Sequence, residues 1–446
     1  MVPLEHPALL EDLLPKPSGK PSGSIPLHAM KNFPPLPTLL GCLVFAQAAC
    51  FAGPDWPRWR GPEGDGRWNP PDLPEDWEKR DSSQLWKRQI GPGYGGVTVG
   101  GSLVYVMDRQ KKPTDIERVV CVSAENGAEV WQAAWPVNYG KMDYATGPRA
   151  SVTIHNGHIY ALGATGVVFC ADASTGKQLW QLDTVASFGA KIPAWGFSAS
   201  PVIDEDRVLL HVGAGGKAAL LALDRHTGKE LWRGGSDHAG YCTPEIITHS
   251  KVRQLIVWGP EHIQSLDPAS GALNWKYPYK ITYGVSIAQP VYRDGILLVS
   301  GYWHGTKALQ LGALSGDVSL LWENEKELCG LMSAPLFKDG VVYLLDKNRG
   351  LQAFELRTGK ILWSDDNTLS PADRNPHLSL VWMSQDKGLA VLLNSSGEMV
   401  YVTLSPQGRK ELSRKQIIGR TWAHPAFAGN TVFARSDSEL VAWRLW

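Results

Sequence analysis

The sequence predicts an all-β fold, an eight-bladed β-propeller of four-stranded antiparallel blades closed by pairing an N-terminal strand into the last blade. Three observations carry the prediction. Tryptophans recur at Trp86, Trp131, Trp180, Trp232, Trp275, Trp322 and Trp363, at roughly 40–50-residue intervals, the period of propeller blades. A phrase ending in Thr-Gly-Lys and then Trp precedes several of them, as ADASTGKQLW at 171–180, LDRHTGKELW at 223–232 and ELRTGKILW at 355–363. Between the tryptophans run short alternating apolar segments with no helical period.

Taken from the N-terminus, residues 1–29 are rich in Pro, Ser and Gly and are expected to be a disordered leader or a mis-assigned start. Residues 30–52 begin Met-Lys, continue through an apolar run and close on Ala48, Ala49 and Ala52, the layout of a signal peptide cut near Gly53. That run is too short and too broken by Pro for a membrane span, so no transmembrane segment is expected after signal removal. Leu39-Leu40-Gly41-Cys42 comes too early in the run for a lipoprotein box, and lipid anchoring is the secondary expectation. Residues 53–80 are expected to be an extended strap, and 81–446 the propeller.

Each blade opens on a small-residue-plus-Pro phrase, as in SASPV, CTPEI, IAQPV, MSAPL and WAHPA. An alternating strand follows, for example HIYALG or VVYLLD, reached through Asn-Gly or Asp-Gly turns. A third strand then leads to the Thr-Gly-Lys corner, and a fourth carries the Trp. In this corner the acid and the Thr accept backbone hydrogen bonds while Gly takes a positive φ. The indole is then free to wedge between blades, burying roughly 150–250 Å². Leu412, in KELSRK, falls where an eighth Trp would be. The segment from Trp422 to Trp446 holds only three strands, and SQLWKRQI at 83–90 supplies the fourth.

Composition narrows function. Lys plus Arg equals Asp plus Glu, 44 each in 446 residues, which gives no electrostatic reason for nucleic acid as a partner. Outside the signal, Cys121, Cys170, Cys242 and Cys329 are scattered, with no C-x-x-C pair. They are expected to be buried thiols rather than a disulfide framework. GAGGK at 213–217 lacks P-loop spacing and reads as a hairpin.

The recurring A-x-D-x-x-T-G-K-x-x-W phrase, with WPRWRGPEGDG, YATGPRASV, WGFSASPV, ITYGVSIAQP and TWAHPA in that order, resembles the tryptophan-docking repeats of pyrroloquinoline-quinone (PQQ) propellers over residues 54–446. That family includes both quinone alcohol dehydrogenases and the non-catalytic BamB-type scaffold of outer-membrane barrel assembly. The dehydrogenases of the family hold calcium with acids and amides near the ring axis and usually carry a vicinal disulfide. Here no adjacent cysteines occur, and the axial strand starts offer Arg149, Ser198, Ser200, Thr243, Ser286, Ser333 and His424 instead.

In a propeller the loops entering the inner strands converge on the central channel, where binding groups collect. The candidates are Tyr144, Arg149, Trp195, Tyr241, Tyr283, Tyr302, His304, Trp422 and His424. Arg149, beside Gly-Pro at a strand entrance, suits a carboxylate or phosphate, or pairs with an acid such as Asp143. The expected function is a monomeric, exported scaffold, periplasmic or extracellular, that binds envelope protein partners without cofactor or metal. Two alternatives stand beside it: a propeller binding a small molecule or carbohydrate at the axial mouth, and a PQQ- and calcium-dependent alcohol dehydrogenase.

Overall fold

The computed structural model describes residues 56–70 and 73–446; the leader and signal expected over 1–52 lie outside them. Among the described residues, eight four-stranded antiparallel sheets follow one another along the chain. They are blade 1 (98–136), blade 2 (153–183), blade 3 (202–234), blade 4 (245–278), blade 5 (291–324), blade 6 (336–364), blade 7 (378–416) and blade 8 (426–444 with Ser83–Gln89). The first strand of each blade lies innermost. Thr98–Gly100 contacts both Ala426–Ala428 and Thr153–His155, so the inner strands ring a common axis.

Closure follows the sequence expectation. Ser83–Gln89 pairs antiparallel with Glu439–Arg444, matching Ser83 to Arg444 and Gln89 to Glu439. This covers an edge that the last blade would otherwise present. Arg435, fully buried, staples the seam by donating to the carbonyls of Met107 and, at 2.8 Å, Gly91.

The Thr-Gly-Lys corner has two jobs. Asp172 accepts from the backbone N–H groups of Ser174 and Thr175 and from both their hydroxyls; led by the two hydroxyls, these bonds hold its carboxyl down at about 2. The glycine that follows is the landing site for the preceding blade's indole. Gly127, Gly176, Gly228, Gly271 and Gly359 all take φ near +70°, and a Cβ on Gly176 would lie 2.5 Å from the Trp131 ring. Trp86, Trp131, Trp180 and Trp322 then donate to the carbonyls of Ala124, Ala173, Arg225 and Leu356 in the next blade, and Trp363 to Ser405. Trp232 packs on Gly271 with no hydrogen-bond partner for its N–H among the described residues. Trp275 turns to Gln254 of its own blade, because blade 5 has a different corner.

A small residue always faces the docking indole across the sheet. The pairs include Trp131 with Cys121, Trp180 with Cys170, Trp232 with Ala222 and Trp363 with Ala353. The four cysteines among the described residues are buried and free, and two of them are these small neighbours. In blade 7 the sizes are exchanged: Tyr401 stands in the third strand and Ser413, not Leu412, in the docking register. The same β-bulge interrupts this strand pair as in blades 2, 3 and 6, so Ser413 takes the place of the Trp and Leu412 that of the Leu before it. No indole is needed there, since blade 8 has no turn between its third and fourth strands. Trp77, from the segment before the ring, packs on Tyr401 instead, at 4.8 Å between centroids.

The expected extended strap is wound rather than extended. Hydrogen bonds from Gly61 to Arg58, Gly64 to Gly61 and Gly66 to Arg60 coil it into turns, because its glycines adopt positive φ at 61, 64 and 66. Trp56 pairs with Val99 of blade 1 and Trp68 bonds Trp382 of blade 7, so the coil is pinned at both ends to inner strands. A five-residue helix, Thr184–Phe188, is also present where no helix was expected; it is capped by Asp183.

Candidate functional site

Antiparallel strands alternate in direction, so the loops that enter each inner strand and those joining second to third strands share one face of the ring. All nine candidates stand on that face, and the structure sorts them into three groups. Tyr144 and Trp422 pack at 5.9 Å, and Trp422 stacks on Tyr94 at 5.8 Å. Arg149 lies over the Tyr94 ring at 5.6 Å, and His424 is fully buried beneath, 5.5 Å from His377. Trp195 and Tyr241 form a second group, at 5.6 Å. Tyr283, Tyr302 and His304 form a third, toward blades 5 and 6, where Trp303 touches Tyr302 at 4.6 Å and Tyr283 at 5.4 Å.

Arg149 does not pair with the Asp143 carboxylate. Its guanidinium donates to the carbonyls of Gly147, Asp143 and Tyr144, clasping its own loop. No carboxylate lies within ion-pair range of it among the described residues, and burial holds its pKa below the ordinary arginine value. Tyr302 binds the Arg374 carbonyl through its hydroxyl and carries the Lys347 ammonium over its ring at 4.5 Å. His304 shares a hydrogen bond with Thr282 at 2.8 Å. Tyr283 is 74% exposed and holds a positive φ of 57°.

The floor of the channel is made by residues that the sequence reading did not single out. Trp59 donates to Gln289 at the entrance of blade 5 and packs at 4.2 Å on His424 at the entrance of blade 8. Arg60 donates to the carbonyl of Pro335 at the entrance of blade 6. Only groups on the axis reach blades so far apart around the ring, so the wound strap plugs the channel. On the opposite side the plug ends in charge: Asp65 pairs with Arg67 at 3.0 Å and Arg293 at 3.8 Å. Nearby Glu245 is pushed up to about 7 by burial, and burial brings Arg60 down to about 10.

Several buried polar atoms around the channel have no partner among the described residues: Nδ1 of His377, Nε2 of His424, Oγ of Ser286, Nε1 of Trp422 and Nε of Arg60. Burial brings His377 down to about 4 and His424 well below the usual imidazole value, so both rings are neutral near pH 7. Two features of the sequence contained His377 and Tyr94. NPHLS and WAHPA both place His just before an inner strand, and GPGYGG opens blade 1 as YATGPRAS opens blade 2. Trp59 carried no such signal, because its position follows from the coil of a segment outside the repeat.

A calcium-bound quinone would require hard oxygen ligands, several of them carboxylates. At the entrance side of the axis the groups are imidazoles, indoles, guanidinium ions, the Ser286 hydroxyl and the Gln289 amide, and the carboxylates of Asp65 and Glu245 on the opposite side lie among Arg60, Arg67 and Arg293. The buried Glu117 nearby is already spent, accepting from Tyr139, Trp135 and the Ala164 N–H. Among the described residues no cluster of three His, Cys, Asp or Glu is positioned to hold a metal. The residues present do not fit that group.

Comparison with known proteins agrees with the architecture. A family model described as outer membrane protein assembly factor BamB matches residues 115–255 and 259–445. The outer membrane protein assembly factor BamB of Yersinia pestis is 23% identical over 358 residues, covering 72% of this chain and 84% of that protein. A 1-butanol dehydrogenase (quinone) of Thauera butanivorans is 30% identical over 166 residues, covering 32% of this chain and 25% of that one. The solved structure of a europium-containing methanol dehydrogenase shares the fold with a TM-score of 0.65 at 13% identity, covering 88% of this chain and 98% of that one. With eight Trp-docked blades, a seam closed by its N-terminal strand and a family match over most of its length, the chain belongs to the BamB family of PQQ-like β-propellers.

Proposed function

We propose that this protein is an exported, non-catalytic scaffold that binds protein partners at the cell envelope through the loops of its ring. Residues 30–52 direct export, the wound strap from Trp56 to Trp68 forms the axial plug, and 81–446 form the propeller. The observation that carries the reading is the plug. Trp59 and Arg60 occupy the axis, where a cofactor would otherwise sit enclosed, and leave the surface loops as the accessible part of the molecule. The relatives named as outer membrane protein assembly factors support outer-membrane protein assembly as the class of partner.

A second reading, a small ligand at the axial mouth, is favoured by one specific observation. Buried polar atoms of His377, His424, Ser286 and Trp422 at the blade entrances lack partners among the described residues, as the guanidinium of Arg149 lacks a paired carboxylate among them. The two readings are compatible with one molecule.

The test has two arms. In-cell crosslinking followed by purification from envelope extracts should recover outer-membrane assembly components in near-stoichiometric yield. Incubation with PQQ and calcium should leave no quinone absorbance after desalting and no alcohol-dependent dye reduction. Stoichiometric quinone retention with dye reduction would overturn the scaffold reading.

A further inference from the structure

The repeats supply their own controls for a hydroxyl that has lost its partner. In blades 1, 2 and 6 the third residue of the second strand is tyrosine: Tyr105, Tyr160 and Tyr343. Each packs against its blade's docking indole, at 5.9 Å for Tyr105 and Trp131, 6.2 Å for Tyr160 and Trp180, and 6.0 Å for Tyr343 and Trp363. In the first two blades phenol and indole donate to one shared carbonyl of the next corner: Ala173 accepts from Tyr105 and Trp131, and Arg225 accepts from Tyr160 and Trp180. In blade 6 only the indole finds its acceptor, the carbonyl of Ser405. The Tyr343 hydroxyl is buried with no partner among the described residues.

The cause is the corner of blade 7. It reads LSPQGRK at 404–410 and lacks the Asp and Thr that order the corners of blades 2 and 3, on which Tyr105 and Tyr160 bond. Ser405 instead bonds the Gly408 carbonyl through its own hydroxyl. The result is a cleft of about 250 Å³ between blades 6 and 7, open on the face opposite the axial mouth, with Tyr343 in its lining. That is just below the ~300–1,000 Å³ of typical small-molecule sites. Its rim carries Lys338 and Asp339 from one inner turn and Asp386 and Lys387 from the next, and Leu404 and Pro406 form an apolar wall. Lys338 is paired with Asp339, while Asp386 and Lys387 have no ion-pair partner among the described residues.

We infer that this cleft is a second binding site, separate from the axial mouth, for a small neutral polyhydroxylated molecule such as a single sugar unit. Tyr343 supplies an unspent donor at the floor, and a buried donor of that kind is costly until an acceptor reaches it. The rim offers ammonium donors and carboxylate acceptors in equal number. Hydroxyl groups, which both donate and accept, can satisfy both kinds. An anion would face two carboxylates, and a cation two ammonium groups. Leu404 and Pro406 give the C–H face of a ring an apolar surface.

The test uses the intact protein and three probes, glucose, galactose and N-acetylglucosamine, titrated by ligand-observed NMR. At least one should bind saturably in the millimolar range, and Tyr343→Phe should weaken that binding five-fold or more. Arg149→Ala, at the other face, should leave it unchanged. Melting temperature gives an independent readout. Tyr160→Phe should lower it by a few degrees, whereas Tyr343→Phe, which removes an unpaired hydroxyl, should leave it level or raise it. Failure of all three sugars to bind, binding that Tyr343→Phe does not weaken, or a Tyr343→Phe destabilisation equal to that of Tyr160→Phe would each overturn the inference. So would displacement of the bound sugar by inorganic phosphate at equal concentration.

Discussion

Trp86 donates its indole N–H to the carbonyl of Ala124 at 2.8 Å, and so joins the N-terminal strand of blade 8 to the corner of blade 1. The same bond recurs between most neighbouring blades, but here it locks a sheet built from both ends of the chain. The seam therefore rests on one strand, one indole and the buried guanidinium of Arg435.

A protein trimmed to begin at residue 91 should melt far below the full chain or aggregate, because the edge of Glu439–Arg444 is uncovered. Trimming also removes the plug, so Trp86→Ala in the full chain isolates the seam. Its expected cost is about 3–5 kcal/mol, as for other buried large-to-small changes. Chemical denaturation measures both; a Trp86→Ala protein as stable as the parent would show that the seam holds without its indole.

The plug should contribute as much as the docking tryptophans. As part of an extended strap, Trp56 would be worth less than Trp232, but the two are 2% and 9% exposed. Trp56 also packs edge-on against Phe427 at 5.3 Å, whereas the Trp232 N–H has no partner among the described residues. Trp56→Ala is expected to cost about 3–5 kcal/mol, equal to or above Trp232→Ala, by the same denaturation measurement.

Stability should depend on pH through buried imidazoles. His211 and His377 are each brought down to about 4 by burial, from an ordinary 6.5. The unfolded chain then binds more protons than the folded one between pH 4 and 6.5, so stability falls as the pH falls through that window. Each such group contributes up to about 1.4 kcal/mol per pH unit. Glu245, raised to about 7, acts in the opposite sense between 4.5 and 7. His377→Gln should therefore flatten the acid limb of a stability–pH curve, and Glu245→Gln should steepen it. Unchanged slopes in both variants would refute the assignment.

Arg149 should matter to the loop before it matters to any ligand. Because it clasps three carbonyls, Arg149→Ala should cost about 1–3 kcal/mol and loosen Tyr144 from Trp422, visible as a change in tryptophan fluorescence. Binding of an acidic probe such as citrate, if it occurs at the mouth, should be lost in the same variant. A variant with parental stability and fluorescence would return Arg149 to the role of a free cation.

The ring was legible because its signals repeat. Seven tryptophans and their corners mark the blades independently, and the lone Trp86 strand could belong only to the blade that lacked a fourth strand. The exchange of Tyr401 and Ser413 was legible only to within one residue: in KELS, Leu412 matches the Leu before the indole of KELW and Ser413 the indole itself. At the axis the loop positions could be found from their place before each inner strand. Their grouping could not, because Trp59 and Arg60 come from a segment with no second copy to compare, and its coil is set by contacts with blades far along the chain.

The pairing of Ser83 with Arg444 has a kinetic consequence. Every other strand pairs with a near neighbour in sequence, so each of the first seven blades can form from local contacts as the chain emerges. The last sheet must bring together segments separated by nearly the whole propeller, a contact of very high order with a correspondingly large entropic cost of loop closure. Refolding is thus expected to show fast formation of strand structure followed by a slow, concerted step, in which Trp86 loses its solvent exposure only when the final strand arrives.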